Sequence, residues 1–261
     1  MQRHSFYGLG VDEFSLDELE KMLLFAINNK QKKILYGYSM GTIPYLIKIP
    51  EIYKYGEKSD ILITDGRLFY LMCKYIKKIP LKSDISIPLT VYLLLSIANK
   101  TNKNVYLLGA DEATNNKAKS EILSLFPNIK SCLGHHGYFQ ENEYNKIIND
   151  INLSCTDILL IGITSPTKEI IAYNWKNLLN VGVIVPCGGM IDVLAGKSKL
   201  TPYFFKKLGL ASVYRLLQEP KRLFKRYLFI YSYILFKFLP RLIWNVFIIR
   251  NKHFSVIEHI K

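Results

Sequence analysis

DILLIGITSPTKE, residues 157–169, is the stretch that decides the fold class. Ile158 to Ile161 are apolar without a break, and Thr164, Ser165 and Pro166 form a polar loop that opens a helical run at Lys168. A strand apolar at every position is buried on both faces, the condition of a parallel sheet covered by helices. Working outward, the same pattern recurs. Strands are predicted at Lys33–Tyr36, Asp60–Thr64, Asn104–Leu108, Ile129–Leu133, Asp157–Ile161 and Gly182–Pro186, with helices at Ser15–Asn28, Pro88–Asn99, Thr114–Leu125, Glu141–Asn152 and Lys168–Leu178. Ser15 and Glu18 have capping-box spacing, and Leu16, Leu19, Leu23 and Ala26 form the apolar stripe of the first helix. The expected fold is α/β and Rossmann-like: a mostly parallel sheet covered by helices over residues 1–201, followed by a basic, apolar helical appendage over 202–261.

The formal net charge is +14, of which residues 201–261 carry +10. In that stretch Tyr203–Leu217 reads as one helix, and Pro220 suits the first turn of the next. Tyr227–Phe236 and Leu242–Ile249 are apolar runs separated by Lys237, Pro240 and Arg241. Neither run reaches the ~20 residues a span needs. Association in the plane of an anionic membrane surface is favoured. A buried helix or a homo-oligomer interface is the alternative. Nucleic acid is not expected, because the basic residues alternate with aliphatic runs rather than polar ones. Cys73, Cys132, Cys155 and Cys187 form no metal pattern and read as buried thiols of a reducing compartment. Met1–Gly10 lacks the apolar core of a secretion signal.

Residues with chemistry to offer stand where strands end, the place an open α/β sheet keeps its ligands. Asp65 and Gly66 follow one strand; Asp65 is either a general base or a helix cap. Gly109 closes Leu107-Leu108-Gly109-Ala110 before a helix start that suits a phosphate or a cap. Thr164, Lys168 and Glu169 supply a hydroxyl and a charge pair. Gly188 and Gly189 allow close backbone approach to a ligand, and Asp192 follows as a cap or a sugar-hydroxyl acceptor. His135 and His136 lack a third metal ligand, and no Asp-x-Asp occurs. No metal and no cofactor are expected.

Taken in order, these segments resemble the WecG/TagA/CpsF family of glycosyltransferases: Asp65-Gly66, the Leu-Leu-Gly-Ala at 107–110, Gly134 through Gly137-Tyr138-Phe139, Asp157 to Glu169, Gly188-Gly189 with Asp192, and Ala195-Gly196. The most specific piece is GLASVYRLLQEPKRLFKRY at 209–227, with its Tyr-Arg-Leu, Glu-Pro, spaced Arg and basic-basic-Tyr end. The resemblance implies an inverting, metal-independent transfer from a UDP-sugar to a polyprenyl-diphosphate-linked sugar, carried out peripherally on the cytoplasmic face of a bacterial plasma membrane. By it Asp65 becomes the base, and Gly109, Gly137, Thr164, Lys168, Glu169, Gly188, Gly189, Asp192, Arg215, Arg222 and Arg226 become donor-binding candidates. Thr167-Lys168-Glu169 stands where the family usually has Lys-Gln-Glu, Leu200-Thr201-Pro202 where it has Arg-Ala-Pro, Ala211-Ser212 where it has Glu-Trp, and Gly37-Tyr38-Ser39 where it has Thr-x-Asn. These departures lie in donor- and sugar-facing elements. They leave a second reading open, a non-catalytic membrane-surface subunit of the same pathway.

Overall fold

The computed structural model describes residues 1–251 and 253–257; Lys252 and residues 258–261 of the appendage lie outside the described residues. Along the chain come β1 (Gln2–Phe6), β2 (Leu9–Glu13), α1 (Leu16–Asn28), β3 (Lys33–Tyr38), α2 (Ile43–Lys48), α3 (Pro50–Glu57), β4 (Ile61–Thr64), α4 (Arg67–Leu71), α5 (Ile87–Thr101), β5 (Asn104–Gly109), α6 (Glu112–Leu125), β6 (Ser131–His135), α7 (Tyr144–Leu153), β7 (Ile158–Gly162), α8 (Thr167–Trp175), β8 (Val183–Val185) and α9 (Met190–Leu194). The appendage contributes α10 (Tyr203–Lys207), α11 (Ala211–Gln218), α12 (Pro220–Tyr233) and α13 (Leu239–Ile243).

β3 to β8 form one six-stranded parallel sheet in the order β4-β3-β8-β7-β5-β6. All six strands read from the sequence are in it. Side chains alternate between its faces, as a period of two requires. Val105 and Leu107 of β5 join a core with α1, α5, α6 and α9, whereas Tyr106 and Leu108 join one with α7 and α8. The Ser15–Glu18 capping box closes in both directions, at 3.1 and 2.7 Å.

Two features had no counterpart in the sequence reading. β1 and β2 pair as an antiparallel hairpin around Tyr7 and Gly8, both at positive φ (48° and 98°), the geometry of a tight primed turn. Buried Asp12 anchors the hairpin, pairing with Arg3 at 2.8 Å and accepting the Leu62 N–H of β4 at 2.8 Å. The short helices α2 and α3 are the second, whereas α4 begins at Arg67, where the sequence suggests a helix after Asp65.

The appendage corrects the expectation of a single helix at 203–217. α10 ends before Gly209, whose φ of +74° is the left-handed turn that separates it from α11. From Pro220 the backbone stays helical through a π-turn at Ile234–Phe238, α13 and a second π-turn at Trp244–Ile248. The first π-turn immediately precedes Pro240, where a backbone donor is missing; such a turn accommodates the break without ending the helix. Leu223, Ile230, Ile234, Phe238 and Leu242 share one face and are buried. All but Leu223 belong to a third core with Phe6, Leu9 and Val11 of the hairpin, Leu62 of β4, and Phe254 and Val256. The opposite face leaves Phe224, Leu228, Leu235, Phe236, Trp244 and Phe247 exposed. Among the described residues no helix is long and apolar enough to cross a membrane. Cys73, Cys132 and Cys187 are buried as expected, but Cys155 is exposed, because it sits at positive φ in the turn leaving α7.

Candidate active site

The six strands of the parallel sheet point their carboxyl ends the same way, and several candidates gather there. Asp65 follows β4. Its N–H donates to the Tyr38 carbonyl at 2.7 Å, and its Oδ1 accepts the Ile87 N–H of α5 at 3.0 Å. It therefore does cap a helix, although α5 rather than the nearer α4, whose N-cap Gly66 has no side-chain bond. Gly37 of β3 makes room for it: a Cβ there would lie 2.8 Å from that of Asp65. Burial raises the Asp65 carboxyl above its ordinary value, the Ile87 N–H, Lys168 and Arg215 oppose the rise, and Asp84 adds to it. The outcome is a carboxylate of heightened basicity within electrostatic reach of two cations.

Those cations come from distant parts of the chain. Lys168, in the first turn of α8, donates to the Pro186 carbonyl at 3.3 Å and pairs with Glu169 at 3.5 Å. Glu169 is almost wholly buried, and its Oε1 also accepts from Ser165 at 2.8 Å and Tyr36 at 3.3 Å. Arg215 reaches in from α11: a Cβ added to Gly189 would stand 2.5 Å from Arg215 Nη2, so the glycine leaves the guanidinium its place. Gly188, at φ +56°, has only Lys168 Nζ near its missing Cβ, at 3.9 Å, and so presents open backbone.

The remaining candidates spread outward. Arg222 Nη2 lies 3.7 Å from Asp192 Oδ2, and its Nε pairs with Glu219. Glu219 in turn accepts from Ser198 at 2.7 Å, which ties the appendage to the segment after α9. Gly109 and Gly137 pack backbone on backbone. A Cβ on Gly109 would strike the Gly162 carbonyl, and one on Gly137 would lie 3.0 Å from Gly109 Cα. Thr164 is exposed, and its carbonyl accepts the Lys168 N–H. Arg226 points elsewhere, its guanidinium 5.9 Å from the ring centre of Tyr45 on α2. His135 and His136 are held by loop hydrogen bonds, His135 Nδ1 to the His136 carbonyl and the Tyr138 N–H to His136 Nδ1. Asp84, Arg67 and Tyr36 at the site were missed from the sequence. Asp84 stands in an irregular segment with nothing to mark it.

Comparison with known protein families gives a separate finding, at the level of the whole chain. The model described as "Glycosyl transferase WecG/TagA/CpsF family" covers residues 4–248. The chain belongs to this family. Within the WecG/TagA/CpsF family, similar proteins include those of Staphylococcus aureus strains MRSA252 and NCTC 8325, both named N-acetylglucosaminyldiphosphoundecaprenol N-acetyl-beta-D-mannosaminyltransferase. Each is 33% identical over 129 residues, 49% of this chain and 50% of the relative. The chain thus matches about half the length of these WecG/TagA/CpsF relatives.

Proposed function

We propose that this protein is an inverting glycosyltransferase that moves a sugar from a UDP-sugar to a polyprenyl-diphosphate-linked sugar, with Asp65 as its general base. The observation that carries the reading is the meeting of Asp65, Lys168 and Arg215 at the ends of β4 and β8. The names of the staphylococcal relatives support the lipid-linked acceptor, and the UDP-sugar donor is what the resemblance to the family implies. In the proposed step the acceptor hydroxyl oxygen bonds to the anomeric carbon, Asp65 takes the hydroxyl proton, and the bond from the anomeric carbon to the diphosphate breaks. UDP leaves with the electron pair. Negative charge grows on the diphosphate as it departs, and guanidinium groups stabilise it by charge-assisted, bidentate hydrogen bonds. Arg215 beside Gly189 and Arg222 beside Asp192 are suited to that task. The proposal that no divalent ion is required rests on these cations taking the charge.

The appendage belongs to the same reading. One of its faces is built into the third core, and the other offers aromatic and aliphatic side chains flanked by Lys221, Lys225 and Lys237. Such a face suits an anionic membrane surface, where each basic residue adds about 1 kcal/mol. It would keep the site beside a lipid-linked acceptor.

The test is UDP release from purified protein, a GlcNAc-diphospho-lipid acceptor and a panel of UDP-sugars that includes UDP-ManNAc and its uronic acid, with and without EDTA. Release with at least one donor is expected, unaffected by EDTA and reduced about 10²–10⁴-fold in Asp65→Asn. Release that stops in EDTA and returns with Mg²⁺ would overturn the metal-independent step. Near-normal release by Asp65→Asn would remove Asp65 from the base role.

A further inference from the structure

Beside Asp65 the chain closes a small ring. Asp65 leads through Gly66 to Arg67 at the start of α4. Arg67 Nη1 lies 3.3 Å from Asp84 Oδ2, and the segment from Asp84 runs to Ile87, whose N–H returns to Asp65 Oδ1 at 3.0 Å. The ring has two covalent sides, one ion pair and one hydrogen bond. It joins the end of β4 to the beginning of α5, the two elements between which the carboxylate is held. The guanidinium of Arg67 is fixed from a second side by Tyr70, 5.2 Å from the ring centre.

The pair is not the arrangement that stability alone would favour. Arg67 Nε and Asp84 Oδ1 are both buried and have no hydrogen-bond partner among the described residues. The two side chains are 31% and 20% exposed, so the pair is only partly buried, and an ion pair of that kind that leaves a buried donor and acceptor unmatched adds little to stability. Its place beside the reacting carboxylate gives it another use. We propose that Arg67 and Asp84 are positioning residues for Asp65, a charged buckle that holds the base in its working orientation. This inference rests on reading Asp65 as the base.

The charges that face Asp65 give the buckle a signature. Lys168 from α8 and Arg215 from α11 favour the ionised carboxylate, Asp84 opposes it, and the buried Tyr36 hydroxyl of β3 feels the same carboxylate. Arg67 offsets Asp84. Removing Arg67 therefore leaves Asp84 uncompensated and makes Asp65 harder to ionise, whereas removing Asp84 leaves a free cation and makes it easier.

The experiment compares Arg67→Met, Asp84→Asn, the double variant and Arg67→Lys in the UDP-release assay across pH. The acidic limb of kcat/KM is expected to move up in Arg67→Met and down in Asp84→Asn, each by about half a pH unit or more. Both should lose about tenfold or more in kcat, with a much smaller change in KM for the UDP-sugar. The double variant should return the limb toward its original position but not recover kcat. Arg67→Lys should preserve the limb. Limbs that stay put, or move the same way in both single variants, would overturn the proposal. Should a single variant fail to fold, as judged by thermal unfolding, the neutral double variant and Arg67→Lys still decide it: loss of kcat in the first with retention of the limb in the second is required. Carboxyl ¹³C titration of Asp-labelled protein, with the Asp65 signal assigned by its absence in Asp65→Asn, reads the same displacements without turnover. It separates failure of the buckle from failure of the base assignment, since Asp65→Asn activity alone tests the latter.

Discussion

Lys168, Arg215 and the Ile87 N–H favour an ionised Asp65, a state that its burial disfavours. Because burial raises its proton affinity in the folded chain, the folded state binds a proton more tightly than the unfolded state does. The stability contributed by that extra affinity is present at acid pH and lost as pH rises through the folded-state value. At neutral pH the ionised carboxylate is therefore a net cost, and asparagine keeps an oxygen that can accept the Ile87 N–H. Asp65→Asn should melt about 2 °C higher than the parent at pH 7 and show a smaller gain near pH 4. A lower melting temperature at pH 7 would show that Lys168 and Arg215 more than compensate the carboxylate. Asp65 was legible because a strand end followed by glycine is a local signal. The Arg67–Asp84 pair and the Tyr36–Glu169 contact were not, because each joins residues far apart in sequence through geometry that only the folded sheet creates.

At the level of elements, apolar runs bounded by turn residues located all six parallel strands. The hairpin escaped because β1 is mostly exposed, and because Gln2, Arg3, Asp12 and Glu13 dilute the apolar signal even though β2 is largely buried. The short helices α2 and α3 each carry a proline in the first turn and are too brief to show a periodicity. The break between α10 and α11 depended on one glycine, read as helix interior although glycine is also the commonest residue just past a helix end. That corner carries the site, because Arg215 stands on α11. Gly209→Val forces a β-branched side chain to φ +74° and sets its Cβ 2.7 Å from Leu68 Cγ. Left-handed backbone costs a non-glycine residue roughly 1–2 kcal/mol. The variant should lose kcat/KM by at least tenfold, mostly through KM for the UDP-sugar, while the parallel sheet keeps its far-ultraviolet circular dichroism. An unchanged KM would mean that the corner does not set the position of Arg215.

For the whole molecule, the appendage from Pro220 onward is one helical run with two different faces, and composition revealed only their sum. Ile234 and Phe238 are core residues, so Ile234→Ala or Phe238→Ala should destabilise the protein by about 2–5 kcal/mol in urea unfolding. Phe236 and Trp244 are 78% and 55% exposed. Phe236→Ser with Trp244→Ser should leave unfolding nearly unchanged but reduce co-sedimentation with vesicles containing anionic lipid several-fold. Equal sedimentation by that variant and its parent would remove the exposed face from the membrane role. The basic, apolar character of this region was plain in the sequence. Which side chains turn inward was not, since both faces are similarly hydrophobic and only contact with the hairpin distinguishes them.

The Val256 N–H donates to the Tyr7 carbonyl at 2.8 Å, and Phe254 packs its ring against Tyr7 at 5.3 Å. Translated into the order of synthesis, the hairpin leaves the ribosome well before the contacts that seal it. At roughly 5–20 residues per second, the interval between them is tens of seconds at the slower rate. Throughout it Phe6, Leu9 and Val11 wait without Ile234, Phe238 and Val256, while α1, α5 and α6 have the residues to begin their own core. The nascent chain thus carries an open apolar seam until the helical run from Pro220 emerges to close it.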